Sequence, residues 1–363
     1  MKLSILGSRG VPAHHGGFET FAEHLSLYLI NQGHEVTVYC QTENRSEAGE
    51  DVWQGVRRVI LYGGAGPVGT ILFDLKAALH ANARDSLILT LGYNTAVFSL
   101  LYTLRGRPSL MNMDGLEWKR EKWGPLQRLW LRLNEFVGAK LSTHLIADHP
   151  EIGKHLQKLV PASKISVIPY GADLVTGSDL DVLRQWNCEP NRYALCVARP
   201  EPDNSVLSIV RAFSKKPRGY QLLVLGTLKT ENAYHRQVRE CASDEVVFPG
   251  AIYTRSQVNA LRFSARIYLH GHRVGGTNPS LVEALAAGTP VVAHKNPFNQ
   301  GVAGPWAKYF SSEEELDDIL AELDSDPQAL ESMRRGSFSR HAEDFGLERA
   351  NSAYEDLLLR FWK

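Results

Sequence analysis

The chain is poor in cysteine. Cys40, Cys188, Cys196 and Cys241 are the only four in 363 residues. Their spacing matches neither a disulfide framework nor a zinc module, so they read as strand or core residues of a reducing compartment. Long apolar runs are also missing, and none approaches the ~20 residues that a membrane-spanning helix needs. Met1-Lys2 leads straight into a strand-like Leu-Ser-Ile-Leu without the regions of a secretory signal, so the expected location is the cytoplasm. Neither charge sign is in excess, with 40 Lys and Arg against 40 Asp and Glu, which argues against a general affinity for nucleic acid. Short repeats and low-complexity stretches are absent too. The length is comfortable for two globular domains, each with its own core.

What is present is an alternation of short apolar strands with segments of helical period. Leu3-Ser-Ile-Leu6 leads through Gly7-Ser-Arg-Gly10 to Gly16-Gly17, after which Phe18, Phe21, Ala22, Leu25 and Leu29 recur at helical spacing up to Asn31. Gly33 stops that helix, and Glu35 to Cys40 reads as the next strand. Strand-like runs follow at 86–91, 109–113, 144–147 and 165–168, then at 193–198, 221–225, 245–248, 266–269 and 290–293, with a helix from about Asn204 to Phe213. The pattern predicts an α/β protein with two Rossmann-like, doubly wound parallel sheets. We place an N-terminal domain at 1–172 and a C-terminal domain at 173–345. A final helix over 346–363 carries Ala350, Ala353, Tyr354, Leu357, Leu358 and Phe361 on one face, for return to the first domain. Ligands of open parallel sheets sit beyond the carboxyl ends of the strands, so the glycine loops of both domains are expected to face a cleft.

The densest stretch runs from His270 to Ala293. Gly275-Gly276-Thr277-Asn278 precedes a helix start, and the N–H groups from Gly275 to Ser280, aided by the helix dipole, suit a diphosphate. One turn further on, Glu283 can accept hydrogen bonds from sugar hydroxyls. The paired histidines His14-His15 and His270-x-His272 lack helical metal spacing, and acceptor or phosphate contacts suit the loop histidines better. Asp179-x-Asp181 and Asp324-x-Asp326 read as chance.

Several motifs occur in a fixed order: Gly7-x-Arg-Gly-x-Pro12 with Gly16-Gly-Phe-Glu-Thr20, Asp114-Gly-Leu-Glu-Trp-Lys-Arg120, Ile168-Pro-Tyr-Gly-Ala-Asp173, Val197-Ala-Arg199, and Gly275-Gly-Thr-Asn-Pro-Ser280 followed by Glu283. With them the chain resembles the GT-B glycosyltransferases of the family 4 type. In its N-terminal half it is similar to a bacterial branch of rhamnosyltransferases. The resemblance covers nearly the whole chain. It implies the GT-B architecture and transfer of a sugar from a nucleotide diphosphate donor to a hydroxyl of a polysaccharide or lipid-linked oligosaccharide. It also implies retention of configuration, with no metal or other cofactor; inversion with Asp114 as base stays open. On the donor side it points to Gly16, Gly17, Arg199, Asn204, Gly226, Ile252, Tyr253, Gly275, Gly276, Thr277, Asn278, Ser280, Leu281 and Glu283. Asp114 and Arg199 are the catalytic candidates, and Glu19, His15, Tyr93 and Met113 lie on the acceptor side.

Three departures stand out. Gly275 occupies the place of the first of two glutamates usual in the wider family, Asn204 that of a lysine directed at the diphosphate, and Met113 that of a histidine. Either turnover has been lost, or the donor differs. An apolar Met113 suits the methyl of a 6-deoxy sugar such as rhamnose, or it merely ends a buried strand. Other candidates have plain alternatives: a surface salt bridge for Arg199, loop ordering for Glu19, an Asx-turn or helix cap for Asp114. Residues 116–140 interleave Trp118, Trp123 and Trp130 with Lys119, Arg120, Lys122, Arg128, Arg132 and Lys140. This fits a peripheral contact with the inner face of the cell membrane, or an amphipathic core helix with a solvated basic face. The rival functions are a nucleotide-sugar epimerase of GT-B fold and a non-catalytic sugar-nucleotide binding module. A nicotinamide dehydrogenase fits poorly, because the nearest acid after the second strand is Glu43.

Overall fold

A computed structural model describes residues 1–13 and 16–362. It divides into two units, Met1–Lys119 with Trp123–Pro169 and Arg349–Lys363, and Arg120–Lys122 with Tyr170–Glu348. The first unit is built on strands β1 (Lys2–Leu6), β2 (Glu35–Thr42), β3 (Gly49–Trp53), β4 (Val56–Tyr62), β5 (Leu87–Leu91), β6 (Ser109–Asn112), β7 (His144–Ala147) and β8 (Ile165–Val167). They lie in the order β3-β4-β2-β1-β5-β6-β7-β8. Every pairing is parallel except β3 with β4.

The second unit is built on β9 (Tyr193–Val197), β10 (Gln221–Leu225), β11 (Val246–Gly250), β12 (Ile267–His270), β13 (Val291–His294) and β14 (Lys308–Phe310), in the order β11-β10-β9-β12-β13-β14. All of its pairings are parallel. Its strands are continuous apolar runs because both faces are covered. Tyr193, Leu195, Tyr268 and Val291 point into one core with the helices Arg255–Ser264 and Pro279–Ala286. Ala194, Cys196, Ile267 and Val292 point into the other, against the helices Val206–Ser214 and Glu313–Ser325. This is the alternation that a pleated strand imposes.

In each sheet the strand order reverses beside the strand that opens it. β1 lies between β2 and β5, and β9 lies between β10 and β12. At such a point the two neighbouring crossovers leave toward opposite faces, and the loops after the two central strands part to form a crevice.

Three strands, β3, β4 and β14, were absent from the sequence expectation, and one helix start differs from it. The β3–β4 hairpin went unforeseen: β3 is a polar edge whose Glu50 and Asp51 pair with Arg57 and Arg58 of β4, although Val59-Ile-Leu-Tyr62 of β4 is an apolar run. The helix expected from Asn204 begins at Val206, after a 3-10 turn at Pro202–Asn204, because Ser205 takes a left-handed conformation (φ 50°).

The last helix, Leu347–Phe361, packs within the first unit through buried groups. Tyr354 is fully buried, 4.7 Å from the Phe21 ring, and its hydroxyl accepts from Asn112 Nδ2 at 2.8 Å. Glu355 accepts from the Tyr28 hydroxyl at 2.9 Å and meets His34 Nε2 at 2.7 Å. Replacing Tyr354 with Ala should destabilise the first unit by about 3–5 kcal/mol, the range for emptying a buried aromatic site. Tyr354→Phe should cost about 1–3 kcal/mol, because Asn112 loses its acceptor. Urea unfolding of the two variants against the parent protein checks both values and their order.

Candidate functional site

The strongest candidate lies where β9 and β12 diverge. The loop after β9 carries Arg199 to Ser205, and the loop after β12 carries Gly271 to Asn278. The two loops are fastened edge to edge. Arg273 N–H donates to the Asp203 carbonyl at 2.9 Å, and Arg273 Nε donates to Ser205 Oγ at 3.0 Å. Gly271 sits so close that a Cβ there would stand 2.2 Å from the Asn204 carbonyl oxygen and 3.0 Å from Ser205 Cβ. On the other side, Gly226 follows β10 and approaches the Ala198 carbonyl equally closely, with its N–H on the Gly250 carbonyl at 3.0 Å. His235 Nε2 meets the Pro200 carbonyl at 2.8 Å. The backbone around Arg199 is therefore held from three sides.

Arg199 itself extends outward. Its side chain is 67% exposed and reaches Glu201 at 3.8 Å, a weak surface pair that leaves the guanidinium free to turn to an anion. Asn204, expected among the donor ligands, is instead 1% exposed, and its Nδ2 donates to the Arg199 carbonyl at 2.8 Å. It is too short to reach past the backbone that it braces. Its Oδ1 is buried without a partner.

The helix Pro279–Ala286 begins beneath the glycine loop because Asn278 caps it, its Oδ1 accepting from Ser280 N–H at 3.0 Å. That cap corrects part of the expected phosphate cradle. Ser280 N–H is taken by Asn278, and Leu281 N–H donates to the Asn278 carbonyl at 3.0 Å while its side chain is wholly buried. The Ser280 hydroxyl pairs with that of Tyr268 at 2.7 Å. Gly275, Gly276 and Asn278 form the partly open part of the loop, and Thr277 is buried. Tyr253 is 70% exposed, whereas Ile252 packs on the edge of the core, so only the tyrosine presents a free ring face.

Glu283 is partnered by a residue that the sequence reading missed. Arg262, 5% exposed in its side chain, pairs with Glu283 Oε2 and also reaches Ser280 Oγ at 3.3 Å. Glu283 keeps 30% of its side chain exposed. A buried guanidinium on one oxygen thus holds the carboxylate aimed while the rest of it stays accessible. The available signal was an arginine beside Val258 and Leu261 on the apolar face of its helix, where an ion partner is required.

Three imidazoles stand at the carboxyl ends of β12 and β13: His270, His272 and His294. His270 and His272 stack with ring centroids 4.4 Å apart and 16° between planes. His270 is 1% exposed with neither ring nitrogen bonded; Nδ1 of His272 and of His294 is likewise buried and unpartnered. Burial, then His272 and His294, hold His270 well below the usual histidine range. Burial, followed by the cations Arg120 and Arg199, pushes His272 down to about 3. All three rings are neutral near pH 7. Among the described residues, no group of three or more ligating side chains is placed to hold a metal ion.

In the first unit the expected acceptor-side residues serve mainly to shape loops. Gly16 and Gly17 are exposed at the start of the helix Gly17–Asn31. Glu19 is buried and accepts from Arg9 N–H at 3.0 Å, which orders the first glycine loop. Tyr93 is buried, its hydroxyl donating to the Gly115 carbonyl at 3.1 Å and accepting from Glu117 N–H at 2.9 Å. Met113 is 1% exposed, and its N–H donates to the Ile146 carbonyl, so it closes a buried strand end. Asp114 follows in a left-handed conformation (φ 47°), with its N–H on Asn112 Oδ1 at 2.9 Å. It is partly exposed beyond the carboxyl end of β6. The Asx-turn is thus made by Asn112, not by Asp114. His15 lies outside the described residues.

Comparison with known proteins gives this geometry its class. Residues 184–338 match the family described as glycosyl transferases group 1, and residues 1–173 match a domain of unknown function (DUF1972). No curated protein sequence matches the chain significantly. The fold is that of GT-B glycosyltransferases. Sucrose-phosphate synthase from Thermosynechococcus elongatus superposes with a TM-score of 0.81 at 18% identity, over 99% of both chains. HepE from Anabaena in complex with UDP-glucose gives 0.77 at 16%, again over 99% of both chains. A glycosyltransferase from Rickettsia africae gives 0.74 at 13%, over 100% of this chain and 98% of its own. The chain thus has the fold of the GT-B glycosyltransferases, and its second unit carries the match to glycosyl transferases group 1.

The Arg262–Glu283 pair makes a testable stability claim. Glu283→Ala leaves a buried guanidinium uncompensated and should cost about 3 kcal/mol, the lower end for a broken buried pair because Glu283 is partly solvated. Glu283→Gln retains an acceptor and should cost less. Thermal melts of the two variants without ligand check this, and an unshifted Glu283→Ala melt would exclude a structural role for the pair.

Proposed function

We propose that the protein transfers a sugar from a nucleotide diphosphate donor to a hydroxyl of a saccharide or lipid-linked acceptor, with the donor held mainly by the second unit. One observation carries this reading. At the β9/β12 switch point a pinned backbone presents an outward-turned Arg199, an open glycine loop at 275–276 and an oriented Glu283. Arg199 and the loop suit the diphosphate, and Glu283 suits the ribose hydroxyls. The presence of UDP-glucose and UDP in related HepE structures supports a sugar nucleotide in this role. Catalysis requires the charge growing on the departing diphosphate to be stabilised more than the ground state, and Arg199 with the loop dipoles meets that need. In the retaining reading the leaving phosphate takes the acceptor proton, and no metal takes part.

We assign a 6-deoxy sugar such as rhamnose as the preferred donor sugar. Met113 is enclosed in the first unit, so this assignment now rests on Gly275. A Cβ there would meet nothing within 4 Å, so the space beside the loop is open and lacks the carboxylate that would bind sugar hydroxyls. A pocket without such partners penalises a sugar that must bury an extra hydroxyl by about 1–3 kcal/mol. Specificity constants for deoxythymidine-diphosphate rhamnose and UDP-glucose should therefore differ about 10- to 100-fold in favour of the former. Equal use of the two donors would remove the deoxy-sugar assignment and leave the transferase reading in place.

A contact with anionic membrane is the second part of the proposal. The helix Pro125–Leu141 buries Asn134 and Glu135 together with Leu131 and Ala139, while Leu126, Leu129, Leu133 and Phe136 are 50–82% exposed. Beside it, the helix Gly66–Asn82 exposes Val68, Ile71, Leu72 and Leu79, and Leu104 follows nearby. Asp74 to Thr95 Oγ1, Trp130 Nε1 to the Asn94 carbonyl and Val97 N–H to Asn134 tie these helices to one turn. Exposed apolar side chains in this number, with Arg128 and Arg132 on the helix Pro125–Leu141, suit a lipid surface carrying negative charge. Among the described residues, no helix is long and apolar enough to cross a membrane. The protein should co-sediment with vesicles containing phosphatidylglycerol and at least tenfold less with phosphatidylcholine alone. Leu129→Glu with Leu133→Glu should abolish the binding without lowering the melting temperature. Equal binding by this double variant would contradict the assigned face.

A further inference from the structure

The site lacks the lysine that would face the diphosphate, and Asn204 in its place is turned into the backbone. A second group must share the leaving-group charge with Arg199, and the fold offers one. His272 follows the carboxyl end of β12, between Gly271, which touches Asn204 and Ser205, and Arg273, which is bonded to Asp203 and Ser205. Its carbonyl is held twice, by Asn296 Nδ2 at 3.0 Å and Asn299 Nδ2 at 2.9 Å. One face of its ring is fixed by the stacked His270. Asn296, Asn299 and His270 thus fasten the backbone and ring plane, while Nδ1 is left with no partner. A buried ring nitrogen without a bond costs stability, and it persists where a ligand supplies the missing partner.

The surroundings indicate the chemistry of that ligand. Arg120 and Arg199 lie near enough to disfavour a positive charge on the ring. His272 therefore stands in a field that attracts anions while remaining a neutral imidazole with one N–H to donate. A carboxylate of the protein does not fill the gap, since Glu283 is held by Arg262.

We propose that His272 is a catalytic residue that donates its ring N–H to a phosphate oxygen of a bound nucleoside diphosphate, beside Arg199. This rests on the donor reading above and adds the group that replaces the absent cation. When the bond from the anomeric carbon to the diphosphate oxygen breaks, its electron pair stays on that oxygen. The acceptor hydroxyl oxygen forms the new bond to the anomeric carbon, and its proton passes to the departing diphosphate. His272 keeps its proton and shortens its hydrogen bond as the charge grows. A neutral donor serves this end with less ground-state attraction than a lysine, so its effect falls on turnover more than on affinity.

The test uses the full chain with UDP and deoxythymidine diphosphate as probes, and the donor turned over by the parent protein for kinetics. His272→Ala should lower kcat about 100-fold, as loss of one donor at a developing anion does. The dissociation constant for the nucleoside diphosphate should change less than tenfold. His272→Asn, which restores an N–H, should recover at least tenfold of the lost kcat, and thermal melts confirm that both variants fold. In the parent protein, the His272 ring signals in histidine-labelled NMR spectra should shift with UDP and not with uridine. A parent protein that binds UDP with unmoved His272 signals, or a His272→Ala variant within threefold of the parent kcat, would overturn the assignment alone. A parent protein that binds neither nucleoside diphosphate would overturn the donor reading and this assignment together.

Discussion

Residue 271 of the second unit has no room for a side chain. A Cβ there would stand 2.2 Å from the Asn204 carbonyl oxygen, so the loops leaving β9 and β12 can meet only over a glycine. From that contact follow the bonds of Arg273 to Asp203 and Ser205, the left-handed turn at Ser205 and the Asn204 brace on Arg199. A larger residue would wedge the loops apart and release all of these at once. The parallel sheet creates the crevice at its switch point, but the glycine decides how tightly the crevice is lined.

Within that lining, polar side chains fall into two groups. Tyr268 with Ser280, and Arg262 with Glu283, are paired inside the protein. Such pairs offset the cost of burying polar atoms and fix the positions of what surrounds them. Asn204 Oδ1, both ring nitrogens of His270 and Nδ1 of His272 are buried without hydrogen-bond partners, close to a solvent-facing arginine. Satisfied groups give the site its shape, and unsatisfied ones leave capacity for a ligand. The same division appears in the first unit. Glu19 and Tyr93 hold loops through backbone bonds, whereas Asp114, set in a strained left-handed turn, stays partly open beyond the end of β6.

The helix Pro125–Leu141 buries Leu131 and Ala139 but leaves four other large apolar side chains outside. Its polar Asn134 and Glu135 are held by specific partners, Val97 N–H for the first and His155 Nε2 at 3.0 Å for the second. These bonds fix the rotation of the helix about its axis. The leucines and Phe136 are then left on the outside by geometry, not by their own preference. Four large apolar side chains at half or more of full exposure are unfavourable in water, which gives the face a driving force to be covered.

The sequence by itself determined the class of fold, because short continuous apolar runs alternating with helical periodicity admit few architectures besides doubly wound parallel sheets. It also located the glycine loops and the start of the helix at Pro279, whose signals are local: a capping Asn278 followed by proline at the first helical position. The polar edge strand β3 carried no such signal. Nor could periodicity say which face of the helix over 125–141 is buried, since the pattern is the same whichever way the helix turns. The fate of Asn204, Ser280 and Leu281, and the pairing of Arg262 with Glu283, were decided only by the tertiary structure. A hydrogen-bond partner is chosen by distance in space, and the residues that meet at this site come from loops and helices that only the folded sheet brings together.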